Sequence, residues 1–360
     1  MGRGAADGGC RLGTTAFVLC AIAASVLCPT SATAEGGPTV FAHFYYWYPI
    51  NAGICTHHAP EGHFDRNDVN WWKDELANAQ YAGIDVLNLM YWDVHDYNPA
   101  ALRVLCRALR EMDAAGEPHP KIAMHLDGIE HCANVERAYP VTKCDLTDPA
   151  SQEGVLHSFV SFFRVFRDEG LLDQCYRQDG KLVAFVYRPE YGQVSAKADN
   201  SMVDYWHRRF REELGEELYI VLETAFSGAQ HPATNTDMHC TNADNYFRWD
   251  AALAGPLLEE RGEFPIATIG PGFDPSGQGP QPPERIRDRR GGDTFREDFA
   301  QAAAWRAPWL VIETFNFFEE GTDITETQEF GRLYLDIAHE WTAKMKAARG
   351  DRGRPPISAK

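Results

Sequence analysis

The stretch Leu310–Thr325, LVIETFNFFEEGTDIT, reads as a buried strand that runs straight into a turn crowded with acidic side chains. Leu310, Val311 and Ile312 are continuously apolar, as in a parallel strand covered on both faces. Glu313, Asn316, Glu319 and Glu320 follow immediately. A strand that delivers carboxylates from its C-terminal end is how a barrel enzyme builds its active site. The plainer reading is that Glu319 and Glu320 charge the first turn of the next helix. The rest of the chain bears on that choice.

Working outward, apolar and β-branched runs bounded by turn residues form a regular series. They predict strands over Thr39–Tyr46, Ile84–Tyr91, Lys121–Leu126, Leu182–Tyr187, Leu218–Glu223, Asn245–Trp249, Pro265–Ile269 and Leu310–Phe315. Helical spacing lies between them over Asn70–Tyr81, Pro99–Ala115, Gln152–Asp168, Met202–Leu214, Ala251–Arg261, Phe295–Trp305 and Thr327–Ala347. Gly83, Gly116 and Gly170 stop the first three. The fifth unit is weak, because Phe226–Asn242 shows little helical periodicity. A strand followed by a helix, repeated about eight times, predicts an α/β fold, a single (β/α)8 barrel of the TIM type. An open doubly wound sheet is the structural alternative, but no GxGxxG or phosphate loop recommends it.

Arg3 and Arg11, the apolar stretch Ala16–Leu27 and the small residues Ser31–Ala34 read as a secretory signal peptide over 1–34. The barrel is expected over 35–349, with a disordered tail at 350–360 rich in Arg, Gly and Pro. Cys20 and Cys28 each follow a leucine, which disfavours lipid anchoring. No later run approaches the ~20 apolar residues of a membrane span. The chain carries a formal net charge of -18. A leader with Arg3, Arg11 and Asp7 contributes +1, so the mature chain carries -19. Such a field repels nucleic acid and anionic membrane, and is compatible with a neutral substrate and with a monomer. Six cysteines remain beyond the leader, an even number that suggests disulfides in an oxidising compartment. Cys132 and Cys144 flank one loop and are the pair expected to bridge, free buried thiols being the other reading.

In a barrel the chemistry sits at the C-terminal strand ends. Those ends carry Tyr46 and Trp47; Tyr91, Trp92 and Asp93; His125 and Asp127; Tyr187 and Arg188; Glu223; Trp249 and Asp250; Asp274; and the Glu313–Glu320 cluster. Aromatics and carboxylates suit polyol recognition and acid/base attack on a glycosidic bond better than phosphate or hydride chemistry. Aromatic faces can also be simple core.

The last two strands then look familiar. IATIGPGFDPSGQGP and ERIRDRRGGDTFREDF, within Ile266–Phe299, paired with IETFNFFEEGTDIT, Ile312–Thr325, resemble the glycoside hydrolase family 99 fold, the endo-α-mannosidases and endo-α-mannanases. FAHFYYWYP (Phe41–Pro49) and AGIDVLNLMYW (Ala82–Trp92) also resemble that family's first two strands. The resemblance implies that Glu320, inside the matching Glu-Gly-Thr, protonates the leaving oxygen. It also implies a first glutamate, assisting attack by the sugar's own 2-hydroxyl, at the position held here by Phe317. Phe318 and Glu319 fall on the family's tryptophan and histidine positions. Phe317 cannot accept a proton. Two sources of a base are expected: Glu319 turned inward, or a carboxylate from another strand end, such as Asp127, Glu223 or Glu313, across the site.

The leading expectation is a secreted glycoside hydrolase acting on an oligo- or polysaccharide, with no cofactor and no metal. Its candidate catalytic residues are Glu320, Glu319, Glu313, Glu223 and Asp127. Its candidate substrate-binding residues are Tyr46, Trp47, Trp92, His125, Tyr187, Trp249, Asp274 and Asn316. A sugar-binding barrel that lost turnover at Phe317 is the alternative. A metal-dependent hydrolase using Cys55, His57, His58, His63 and Asp65 is a third reading, on a spacing that matches no standard zinc motif. The loop Gly270–Gly292 is expected to overhang the pocket, with Arg287, Asp288 and Arg289 either locking it or touching substrate.

Overall fold

A computed structural model of the protein describes residues 37–47, 52–62, 64–91, 97–127, 143–188, 195–228 and 237–350. The chain divides into Met1–Thr33 and Ala34–Lys360, and every described residue lies in the second unit. The expected leader, Trp92, Asp93, His63 and Cys132 fall outside the described residues.

The strands in chain order are β1 (Thr39–Phe44), β2 (Val86–Met90), β3 (Lys121–Asp127), β4 (Lys143–Asp145), β5 (Arg177–Gln178), β6 (Lys181–Tyr187) and β7 (Ser195–Ala198). They continue with β8 (Leu218–Glu223), β9 (Asp237–Met238), β10 (Asn245–Phe247), β11 (Leu257–Glu259), β12 (Ile266–Ile269) and β13 (Trp309–Ile312). The helices are α1 (Val69–Tyr81), α2 (Tyr97–Ala115), α3 (Pro149–Asp168), α4 (Asn200–Leu214), α5 (Ala251–Ala254), α6 (Asp293–Trp305) and α7 (Leu333–Gly350). Aspartates start three of them: Asp68, Asp148 and Asp199 each accept a hydrogen bond from a first-turn amide. Among the described residues, no helix is long and apolar enough to cross a membrane.

One large sheet runs β10-β8-β6-β3-β2-β1-β13-β12-β11, with β5 paired to β6. Every neighbour from β10 to β12 is parallel, and β11 adds antiparallel to β12. The sheet nearly closes on itself. At the seam Asn245 bridges to Gly262, and the Glu263 amide donates to the Asp244 carbonyl at 3.2 Å. Gly262 sits at φ +90, and a Cβ there would lie 2.3 Å from Asn245 Oδ1, so the seam admits only glycine without displacement.

Side chains alternate across each strand. Phe41, Val86, Ala123, Val183, Phe185, Tyr219, Val221, Phe247, Ile266, Trp309 and Val311 form one buried cluster. They come from successive strands at alternating positions and fill the interior of the sheet. The outer cluster packs strand residues such as Ala42, Phe44, Leu87 and Ile312 against helical residues such as Trp72, Leu105 and Phe159.

Three differences from the sequence reading concern the site. The helix expected over Ala251–Arg261 stops at Ala254, because Gly255 takes φ +98 and Pro256 cannot donate a helical hydrogen bond; Leu257–Glu259 becomes β11 instead. A small parallel sheet, β4-β7-β9, joins three successive connections that leave β3, β6 and β8. Its strands are too short and polar to read as apolar runs. α7 also extends to Gly350, one residue into the expected tail. Of the six cysteines beyond the leader, Cys106, Cys175 and Cys240 are free, buried thiols. Cys144 is not among these, and the bridge expected for it involves Cys132, outside the described residues.

The seam makes a measurable claim. Gly262→Ala should cost about 2–4 kcal/mol in chemical denaturation. Gly116→Ala, at φ +72 with nothing within 4 Å of the added methyl, should cost only about 1 kcal/mol. Equal costs would show that the contact at Asn245 does not limit the seam.

Candidate active site

Above the apolar interior, the same inward positions turn polar. β1 continues from Phe41 to His43 and Tyr45, β2 from Val86 to Asn88, and β3 from Ala123 to His125 and Asp127. β6 reaches Tyr187, β8 reaches Glu223, β12 carries Thr268, and Glu313 follows β13. His43, Asn88, His125 and Thr268 are buried, and His43 Nε2, Asn88 Oδ1, both His125 nitrogens and Thr268 Oγ1 have no hydrogen-bond partner among the described residues. The two imidazole rings meet at 4.0 Å between centroids. Burial keeps both neutral: it lowers His43 well below the usual histidine range, with His125 adding to the effect, and takes His125 to about 3. Trp249 lies over both rings, at 5.2 Å and 5.7 Å, and packs on Tyr187 at 4.9 Å.

Over this layer stands the turn that carries Glu320. Asn316, fully buried, accepts from the Tyr45 amide and donates to the Tyr45 carbonyl, both at 2.7 Å, which ties the turn to the end of β1. Phe318–Glu320 form a single 3-10 turn closed by Gly321 at φ 56. A Cβ on Gly321 would lie 3.1 Å from both the Asp274 carbonyl and the His57 ring. Arg289 donates twice to the Gly321 carbonyl, at 3.1 Å and 2.6 Å, and once to the Asp323 carbonyl at 2.8 Å. His57 Nδ1 meets the Asp323 carboxylate at 2.7 Å. The Asp274 amide donates to the Glu320 carbonyl at 2.8 Å, and Thr56 and His57 amides donate to the Phe318 carbonyl. The loop 270–292 therefore seats directly against the turn. Within it Arg289 locks the turn and Arg287 pairs with the buried Asp298.

The carboxylates crowd one another in little solvent. Burial raises Glu320 to about 7, with Asp250 and Glu319 adding to it and Arg285 opposing. Glu313 is held well above the usual carboxylate range by burial and then by Asp250, although its Oε2 accepts from the Ala252 amide at 3.1 Å. Glu223 is raised by burial, against the pull of Arg188 and hydrogen bonds from the Ala225 amide and the Thr224 hydroxyl. Tyr45 is raised well above the usual phenol range by burial, then by Glu320, Asp127 and Glu313. Tyr187 is raised likewise by burial, with Asp250, Asp127 and Glu223 contributing against Arg188. Tyr45, Asp127, Tyr187, Glu223, Asp250, Glu313 and Glu320 thus share one mouth.

Several sequence candidates hold other posts. Tyr46 points outward, packing on Trp72 of α1 at 5.6 Å, because strand parity turns Tyr45 inward instead. Asn316 spends its amide on the Tyr45 backbone, and the Asp274 carboxylate accepts from the Ser276 amide at 3.0 Å. Glu319 is buried behind the turn, where it also raises the Cys55 thiol, itself pushed up to about 12 chiefly by burial. Trp47 stays at the rim: Tyr45, Trp47 and Phe317 form an aromatic wall in which Phe317 stacks on Tyr45 at 4.6 Å and 19°. His57 and His58 are engaged by Asp323 and Glu329, and no metal-holding group of three His, Cys, Asp or Glu occurs among the described residues. Reasoning from sequence gave Asp250 and Arg188 places at strand ends but no role, and it gave none to Tyr45. Parity within FAHFYYW was the available signal for Tyr45.

The chain belongs to the family described as domain of unknown function DUF5010, whose model matches residues 20–349. No curated protein matches it. A glycoside hydrolase family 99 endo-alpha-mannosidase from Bacteroides thetaiotaomicron is similar in structure, with a TM-score of 0.59 at 16% identity over 86% of this chain and 98% of that one. Its complex with bis-tris-propane gives 0.57 at the same identity and coverage. A protein described as glycoside hydrolase-like gives 0.60 at 17% identity over 85% of this chain and 94% of that one. At such identities the likeness establishes a glycosidase-like fold.

The raised Glu320 predicts a pH-dependent stability. A carboxyl whose folded pKa, about 7, exceeds its ordinary 4.5 binds more proton in the folded state, so stability falls as pH rises between those values. Glu320→Gln should therefore raise the melting midpoint by roughly 2–5 °C near pH 8, with the gain vanishing near pH 4. A difference independent of pH would contradict the shift.

Proposed function

We propose that the protein is a secreted glycoside hydrolase, with a (β/α)8 barrel over 35–349 and Glu320 as the general acid. The observation that carries this reading is Glu320 itself, a carboxyl raised to about 7 on a turn clamped over the barrel mouth. A group of that pKa holds its proton in a good share of molecules at neutral pH and can pass it to a departing glycosidic oxygen. Tyr45, Trp47 and Phe317 offer aromatic faces against which the C–H face of a pyranose can stack. Tyr187 and Trp249, packed on each other at 4.9 Å, add two more aromatic faces to the same mouth, and the charge of Asp127 bears on both Tyr45 and Tyr187. An oligo- or polysaccharide is the substrate class this combination fits, the leader read in 1–34 fits export from the cytoplasm, and the net charge of -18 is compatible with a monomer.

A second reading, a sugar-binding barrel without turnover, is favoured by one feature: Phe317 stacks on Tyr45 where the family resemblance places a first glutamate. The two readings separate in a single assay. The mature protein, incubated with a panel of α- and β-linked glycans including α-mannans, should release reducing ends, and Glu320→Gln should lose at least about 10²-fold in kcat. A folded protein that binds one of these glycans but releases none would establish the binding barrel.

A further inference from the structure

Glu320 needs a second carboxylate, and most acids at the mouth are committed. Glu313 accepts from the Ala252 amide, Glu223 from the Ala225 amide and the Thr224 hydroxyl, and Glu319 lies buried behind the turn. Asp250 differs in three respects. It stands at the N-cap of α5 yet makes no side-chain capping hydrogen bond. The amide an N-cap aspartate ordinarily takes, that of the second helical residue, is here Ala252, and Glu313 has taken it. The Asp250 backbone sits at φ 73, ψ 13, a left-handed conformation that costs a non-glycine residue about 1 kcal/mol. Its carboxylate is 44% exposed, so water reaches it, and its charge bears on Glu320, Glu313, Glu223 and Tyr187 alike. Arg188, buried over the Tyr187 ring, approaches it to 3.5 Å and holds it on this side of the mouth.

We propose that Asp250 is the general base that works opposite Glu320, in the place that Phe317 cannot fill. This rests on the glycosidase reading above. Asp250 removes a proton from a water whose oxygen bonds to the anomeric carbon. The bond from that carbon to the glycosidic oxygen breaks, its electron pair passes to that oxygen, and the Glu320 proton goes to the same atom. The products are a sugar of inverted anomeric configuration and an alcohol. Asp250 ends protonated and Glu320 ionised, and solvent exchange restores both.

Asp250→Gly suits φ 73 and should melt within a few degrees of the wild type. It should lose about 10³-fold in turnover, and sodium azide or formate should restore at least about tenfold by standing in for the carboxylate. Asp250→Asn, which keeps a side chain in the gap, should lose turnover without rescue. Proton NMR of the first wild-type product should show inversion. Near-normal turnover in Asp250→Gly, loss without rescue in that folded variant, or retained configuration would each overturn the proposal. Turnover lost in Glu320→Gln but kept in Asp250→Gly would overturn the role of Asp250 alone, whereas a wild type without turnover would remove the glycosidase reading and this role with it.

Discussion

One buried guanidinium, that of Arg289, fixes the position of Glu320. It donates to the carbonyls of Gly321 and Asp323 and lies over the Tyr334 ring at 4.4 Å, with the Asp323 carboxylate at 3.4 Å. A buried charge is tolerable only when paired and hydrogen-bonded. Here those partners are the backbone of the turn, so satisfying the charge and fixing the turn are the same event. His57 completes the arrangement by meeting the other side of the network through Asp323. Lysine at position 289 would keep the charge but lose the planar fork that reaches two carbonyls together.

Below that turn the barrel departs from what packing alone would choose. Each buried polar atom without a partner costs on the order of 1–3 kcal/mol, and His43, Asn88, His125 and Thr268 contribute several. Neutral imidazoles under Trp249 give the floor of the mouth a polar but uncharged character, while the carboxylates stand one layer higher. Their exposure to water is unequal. Glu320 is pushed to about 7, where it can donate, and Asp250 remains open to water beside Arg188. Two carboxylates in unlike surroundings are what acid and base roles at one pH require.

Much of this was legible in LVIETFNFFEEGTDIT and the strand series, because a continuous apolar run followed by acids has few structural solutions. The strands and the Glu320 turn follow from local pattern. Tyr46 and Asn316 were less legible for a different reason. Both are polar or aromatic residues near a strand end, and local sequence contains neither the parity that packs Tyr46 on Trp72 nor the reciprocal hydrogen bonds that tie Asn316 to the Tyr45 backbone. Asp250 was hidden by its ordinary appearance as the N-cap of WDAALAGP. Its release depends on Glu313, 63 positions later, occupying the Ala252 amide, and no local reading contains that contact. The β4-β7-β9 sheet escaped because three short polar segments gain strand geometry only from one another.

A general acid at position 320 requires a protonated Glu320 at near-neutral pH, and carboxyl carbon NMR of glutamate-labelled protein measures that directly. The resonance that disappears in Glu320→Gln should titrate in the wild type near 7. If that resonance instead titrates in the ordinary glutamate range, about 4–5, the turn does not hold a general acid.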